Sequence, residues 1–99
     1  MSSSLEVYDL DSGHLLGRVV DLHVEGLMLL SDTPIELNKA WALQVNLPMT
    51  LDGVSEFILG AESRWNRKSI GGHQYWTGLQ FTSLPDESRH CIERMMASS

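Results

Sequence analysis

Apolar and polar positions alternate along most of this chain, in short runs separated by turns rich in glycine and aspartate. Residues 5–10 alternate as a strand, and Asp11-Ser12-Gly13 follows as a hairpin turn, in which aspartate caps locally and glycine takes a positive φ. A second strand is predicted over 14–22. It leads into a tight turn at Val24-Glu25-Gly26, where Gly26 is expected to supply a backbone geometry closed to a β-branched residue. A third strand over 27–30 should pair with the second. Residues 31–38 carry Pro34 and several polar groups, which predicts a connection with at most a short edge segment.

The next strand has the clearest pattern. Trp41, Leu43, Val45 and Leu47 share one face, Ala42, Gln44 and Asn46 share the other, and Pro48 is expected to close it. After a turn at Asp52-Gly53, residues 55–67 read as a long strand bent at Gly60, where a missing side chain marks a bulge or a curled sheet. Ser69-Ile70-Gly71-Gly72 makes another hairpin loop. Residues 75–82 then place Tyr75, Thr77, Leu79 and Phe81 on one side and Trp76, Gly78, Gln80 and Thr82 on the other. Six or seven strands at this spacing predict an all-β fold, a small antiparallel barrel. Trp41, Trp65 and Trp76 fit packing in such a barrel better than an exposed contact patch.

The period changes at the end of the chain. Ser83-Leu84-Pro85-Asp86 matches a capping box, Pro85 suits a first helical turn, and Asp86 and Glu87 suit the positive end of the helix dipole. A helix is expected over 84–96. Its stripe of Ser88, Cys91, Ile92, Met95 and Met96 should lie against the barrel, with a partner surface at the methionine pair as the alternative. The whole chain, 1–99, therefore reads as a single domain: a frayed start at 1–4, a barrel over 5–82 and the helix.

Composition narrows the function classes. A chain of 99 residues, 42% hydrophobic and 20% charged, is suited to folding as one modest core. The lone Cys91 has no internal disulfide partner, and no secretory signal or long apolar span appears, so a cytoplasmic protein without membrane insertion is expected. A net charge of −6 argues against non-specific binding to DNA or to an anionic membrane. Arg64, Arg67 and Lys68 nevertheless place three of the seven basic residues within five positions, as a local basic site or a solvated strand end.

Catalytic chemistry finds little support. His14, His23, His73 and His90 are scattered, and neither a His-x-x-x-His nor a Cys-x-x-Cys spacing occurs, so no metal and no required cofactor are expected. His90 and Cys91 are adjacent on the predicted helix and project about 100° apart, a poor geometry for a Cys–His couple. A non-enzymatic protein is the expectation.

The stretch Gly17-Arg18-Val19-Val20-Asp21-Leu22-His23-Val24-Glu25-Gly26 resembles a motif of the PilZ family, Asp/Asn-x-Ser/Ala-x-x-Gly preceded by a Gly-x-Val-x-Asp strand. Asp21 and Gly26 match, and His23 stands in the Ser/Ala place. The segment "AESRWNRKSIGGHQYWTGLQF" resembles the later hairpin of the same family, ending in Gly78-x-x-Phe81, and a helix beginning near Pro85 follows in the family's order.

This resemblance implies a six-stranded antiparallel PilZ-like β-barrel with a C-terminal helix, belonging to bacterial signalling by cyclic di-GMP. In such receptors the Asp-x-Ser-x-x-Gly turn meets a guanine while an Arg-x-x-x-Arg motif grips the phosphates. Guanidinium forks suit phosphate oxygens, and a carboxylate suits the guanine N–H donors. Asp21, His23, Gly26 and Arg18 are then the candidate nucleotide-binding residues, with Arg64, Arg67 and Lys68 as candidate phosphate contacts. No Arg-x-x-x-Arg occurs in this sequence, and His23 adds bulk where the family has a small residue. His23 would otherwise project into solvent, with Asp21 accepting bonds from the turn's own amides. The expectation is an adaptor with weak or lost nucleotide binding that works through a protein partner. The alternative is a genuine cyclic di-GMP receptor with a non-standard basic set.

Overall fold

The computed structural model describes residues 5–51 and 53–97. The expected frayed start at 1–4 and Asp52 of the predicted turn lie outside the described residues. Six strands, β1 (Glu6–Asp9), β2 (Leu15–Leu22), β3 (Gly26–Ser31), β4 (Ala40–Leu51), β5 (Val54–Lys68) and β6 (Tyr75–Ser83), precede one helix, α1 (Asp86–Ala97). The strands close into a barrel in the order β1-β2-β3-β6-β5-β4, with β4 pairing back onto β1 and every neighbour antiparallel. Closure leaves no edge strand free to recruit another chain.

The alternation read from the sequence is the alternation that fills the barrel. Leu27 and Leu29 of β3, Leu43 and Val45 of β4, Phe57 and Leu59 of β5, and Leu79 of β6 form one buried cluster with Val7. Helix α1 completes it: Cys91 and Ile92 are buried in the same cluster, and the Ser88 hydroxyl donates to the Ile58 carbonyl of β5. The packing stripe stops short of its expected end, because Met95 is half-buried and Met96 is exposed.

Several boundaries differ from the sequence expectation for local reasons. Pro48 does not close β4, which runs on to Leu51; β1 ends its pairing at Glu6 opposite Asn46, so the missing N–H of Pro48 falls beyond that ladder. Ser83 does not cap the helix. It pairs with Gly60 as the last residue of β6, and the Pro85 carbonyl accepts the first helical bond, from the Arg89 amide at 2.9 Å. In the β1–β2 turn the cap is Asp9, not Asp11: its carboxylate accepts from the Asp11 amide at 3.1 Å and the Ser12 hydroxyl at 2.9 Å.

Ser31 ends β3, and the connection over 32–39 forms no strand. It is pinned to β5 by Ser63, whose hydroxyl donates to the Glu36 carbonyl and accepts from Trp41 Nε1 at 3.2 Å and the Lys39 amide at 3.3 Å. Ile35 is thereby held in the core.

Three irregularities shape the outer surface. The register of β5 against β6 shifts at Gly60/Ala61, where a bend was expected, and again between Ser63 and Trp65; that of β2 against β3 shifts between Val19 and Asp21. A bulge puts two consecutive side chains on one side of a sheet. Val19 and Leu22 therefore both point inward while Val20 and Asp21 are exposed, and Ser63 points inward while Arg64 and Trp65 are both exposed.

Candidate functional site

With those bulges in place, four strands bring one row of residues together on the outer face. Asp21 of β2 stands opposite Met28 of β3, Met28 opposite Gly78 of β6, and Gly78 opposite Trp65 of β5. Around this row lies an open cleft of about 390 Å³, lined by Asp21, His23, Glu25 and Gly26 from the β2–β3 turn and by Arg64 and Trp65 from β5.

The turn is built by its backbone. The His23 amide donates to the Gly26 carbonyl at 2.9 Å, and the Phe81 amide donates to the Glu25 carbonyl at 3.0 Å, which fastens the turn to β6. Gly26 pairs with Gln80 there, and a β-carbon on Gly26 would run into the Leu79 carbonyl. The expected reason for this glycine is thus corrected. Its φ is not positive; what excludes a side chain is the close approach of β6.

His23 is exposed, as expected, but it takes over the role expected of Asp21. The Glu25 amide donates to His23 Nδ1 at 3.3 Å, which requires the ring proton on Nε2. Among the described residues the exposed Asp21 carboxylate takes no hydrogen bond, so the turn-capping function belongs to the imidazole. Asp21 stays open to the cleft.

The basic residues do not gather at one place. Arg64 reaches the cleft, but its Nη1 donates to the Glu62 carboxylate on the same strand, a half-exposed pair worth at most about 1 kcal/mol. Arg18 lines a separate recess with Glu6, Asp32 and Gln74. Arg67 and Lys68 border a further depression with Trp76 and Ile70, beyond Trp65. Arg67 lies 5.9 Å from the Trp65 ring centre and Lys68 6.0 Å from that of Tyr75, near the outer limit of cation–π contact.

Trp65, read from the sequence as barrel packing, is instead exposed beside the cleft, and Met28, Glu25 and the Arg64 partner Glu62 were not singled out as site residues. One signal could have found Trp65. Counting back from the 69–74 loop, Lys68 pairs with Tyr75, Arg67 with Trp76 and Asn66 with Thr77, which brings Trp65 onto Gly78. Among the described residues no group of three or more potential metal ligands occurs, and no helix is long and apolar enough to cross a membrane.

No curated protein matches the chain by sequence. A solved structure, the PilZ domain of YcgR from Escherichia coli with cyclic di-GMP, shares the fold with a TM-score of 0.65 at 16% identity, covering 97% of this chain and 80% of that one. The PilZ domain model matches residues 2–98. Nearly the whole chain is covered, from the first strand through the helix, and the protein belongs to the PilZ domain family.

Proposed function

We propose that this PilZ domain is a non-enzymatic signalling module in which cyclic di-GMP binding is weak or lost and which acts through contacts with a protein partner. The observation that carries this reading is the charge of the cleft. Asp21 and Glu25 face it as carboxylates, and its one arginine, Arg64, is engaged by Glu62. A cyclic dinucleotide brings two phosphate charges, and like charges in a water-accessible cleft oppose binding by about 1 kcal/mol each at contact distance. Arg18, Arg67 and Lys68 do not line the cleft; Arg18 borders a separate recess, and Arg67 and Lys68 border the depression on the other side of Trp65.

A receptor reading has one observation in its favour. Arg64 and Trp65 flank the same cleft as Asp21, which provides a phosphate fork, a stacking ring and a guanine acceptor together. Calorimetric titration with cyclic di-GMP, repeated on Asp21→Ala, separates the two. Flat heats at high protein concentration support the adaptor; micromolar binding abolished by Asp21→Ala overturns it.

A further inference from the structure

Beyond Trp65 the outer face opens into a second depression, of about 610 Å³, at the end of the β5–β6 hairpin. Met28 and Trp65 line both this groove and the cleft, and so stand between them. Trp76 and Ile70 add apolar surface, and Arg67 and Lys68 add charge. Ile70, at the loop, is completely exposed, and Trp65 is 43% exposed. We propose that this groove docks an acidic segment of a protein partner, which seats an aliphatic or aromatic side chain between Trp65, Trp76 and Ile70 and sets its carboxylates against Arg67 and Lys68. The proposal rests on the adaptor reading and names the surface that reading needs.

Two independent features support it. First, Ile70 is held in water by a hairpin loop closed by its own backbone hydrogen bonds, next to Trp65 and Trp76 on the two strands that the loop joins. The Ser69 amide donates to the Gln74 carbonyl at 2.8 Å, the Gly72 amide donates to the Ser69 carbonyl at 2.9 Å, and Gly72 takes a φ of 72°. A contiguous exposed apolar patch on a fixed frame marks an interaction surface, and preorganisation lowers the entropy lost on docking. Second, the charge is local and opposite to that of the molecule. The chain carries −6 overall, yet neither Arg67 nor Lys68 forms an ion pair among the described residues. Both cations are therefore open to a partner's carboxylates, and the acidic remainder of the surface repels an acidic segment everywhere but at this groove, which fixes where it docks.

The same charge balance weighs against an anionic bilayer. A membrane meets the whole face of a protein, where −6 is repulsive, whereas a short segment meets only the groove. The concavity between Trp65 and Trp76 likewise suits an inserted side chain better than a flat interface.

The test is selection from a displayed library of random peptides on the whole protein, followed by titration of a synthesised winner read by tryptophan emission. Winners should carry Asp or Glu around Leu, Ile, Phe or Trp. The double variant Arg67→Glu/Lys68→Glu should weaken the winner about tenfold or more, and Ile70→Ser should weaken it too. All three positions are exposed, so melting curves of the variants should match the parent. Winners without acidic enrichment, or equal binding by the charge-reversed variant, overturn the proposal. So does flotation with phosphatidylserine vesicles that the same variant abolishes, which assigns the patch to a membrane. Self-association lost in Ile70→Ser overturns it in favour of a second copy. Tight cyclic di-GMP binding in the separate calorimetric titration removes the adaptor reading without deciding the peptide selection, so the two failures are distinguishable.

Discussion

The indole of Trp65 covers Gly78 so closely that a β-carbon at position 78 would overlap the Nε1 edge of the ring. That contact makes Trp65 the wall between the two depressions of the outer face.

Gly78→Ala is expected to swing the half-exposed indole toward solvent at a cost of about 1 kcal/mol. Gly26→Ala meets the Leu79 carbonyl instead, and backbone cannot swing aside, so about 3 kcal/mol is expected there. Urea titration gives the two stabilities. A red shift of tryptophan emission in Gly78→Ala alone checks the difference in mechanism.

Removing carboxylates from the cleft should restore affinity for cyclic di-GMP. Glu25→Gln takes one charge from the lining, and Glu62→Gln releases Arg64. The double variant is expected to bind the nucleotide about tenfold more tightly than the parent, at about 0.7 kcal/mol per surface charge. Adding Arg64→Ala should take back about half of the gain, the part that depends on the released guanidinium. An unchanged titration would count against the electrostatic account of the cleft.

From β5, Ser63 joins four groups on two other segments, the connection and β4, and its side chain is fully buried. Ser63→Ala leaves Trp41 Nε1, the Lys39 amide and the Glu36 carbonyl without that partner, with an expected loss of about 2 kcal/mol. Hydrogen exchange should rise at Lys39 more than at Leu43, since the 32–39 connection depends on this hydroxyl and β4 has its own ladder.

Two helix positions separate packing from surface. Ile92→Ala, at a fully buried site, is expected to cost about 3 kcal/mol, whereas Met96→Ala should stay within about 0.5 kcal/mol. Thermal melts of both variants measure the contrast directly.

How far such features could be read from the chain depends on the range of the interaction that creates them. The inward faces of β4 and β6 follow from a period of two: Leu43 and Val45, or Thr77 and Leu79, reveal themselves without a partner strand. The turn at Val24-Glu25-Gly26 and the bend at Gly60 were legible from their glycines, and Asp21 from the motif that it resembles. The bulges at Val20 and Arg64 were not, because an extra residue is defined only by the strand it faces. Asp21 could be named from the motif it resembles and Trp65 by counting back from the 69–74 loop, whereas Met28 and Glu62 could not be named without their cross-strand neighbours. Pro48 and Ser83 were misread by the converse error. Proline as a strand end and Ser-x-x-Asp as a helix start are local rules, overridden here by where β1 stops and where β6 continues.

The two bulges also bear on how this surface can change over evolution. At Val19-Val20-Asp21-Leu22 and at Ser63-Arg64-Trp65, one side chain beyond simple alternation faces outward while the inward anchors keep their places. Deleting Val20 or Arg64 would restore regular alternation without displacing Leu22 or Ser63 from the interior. Gain or loss of a single codon at either point therefore edits the outer chemistry while the barrel inside is left alone. Point substitution is not the only route by which a domain of this kind can acquire or discard a ligand.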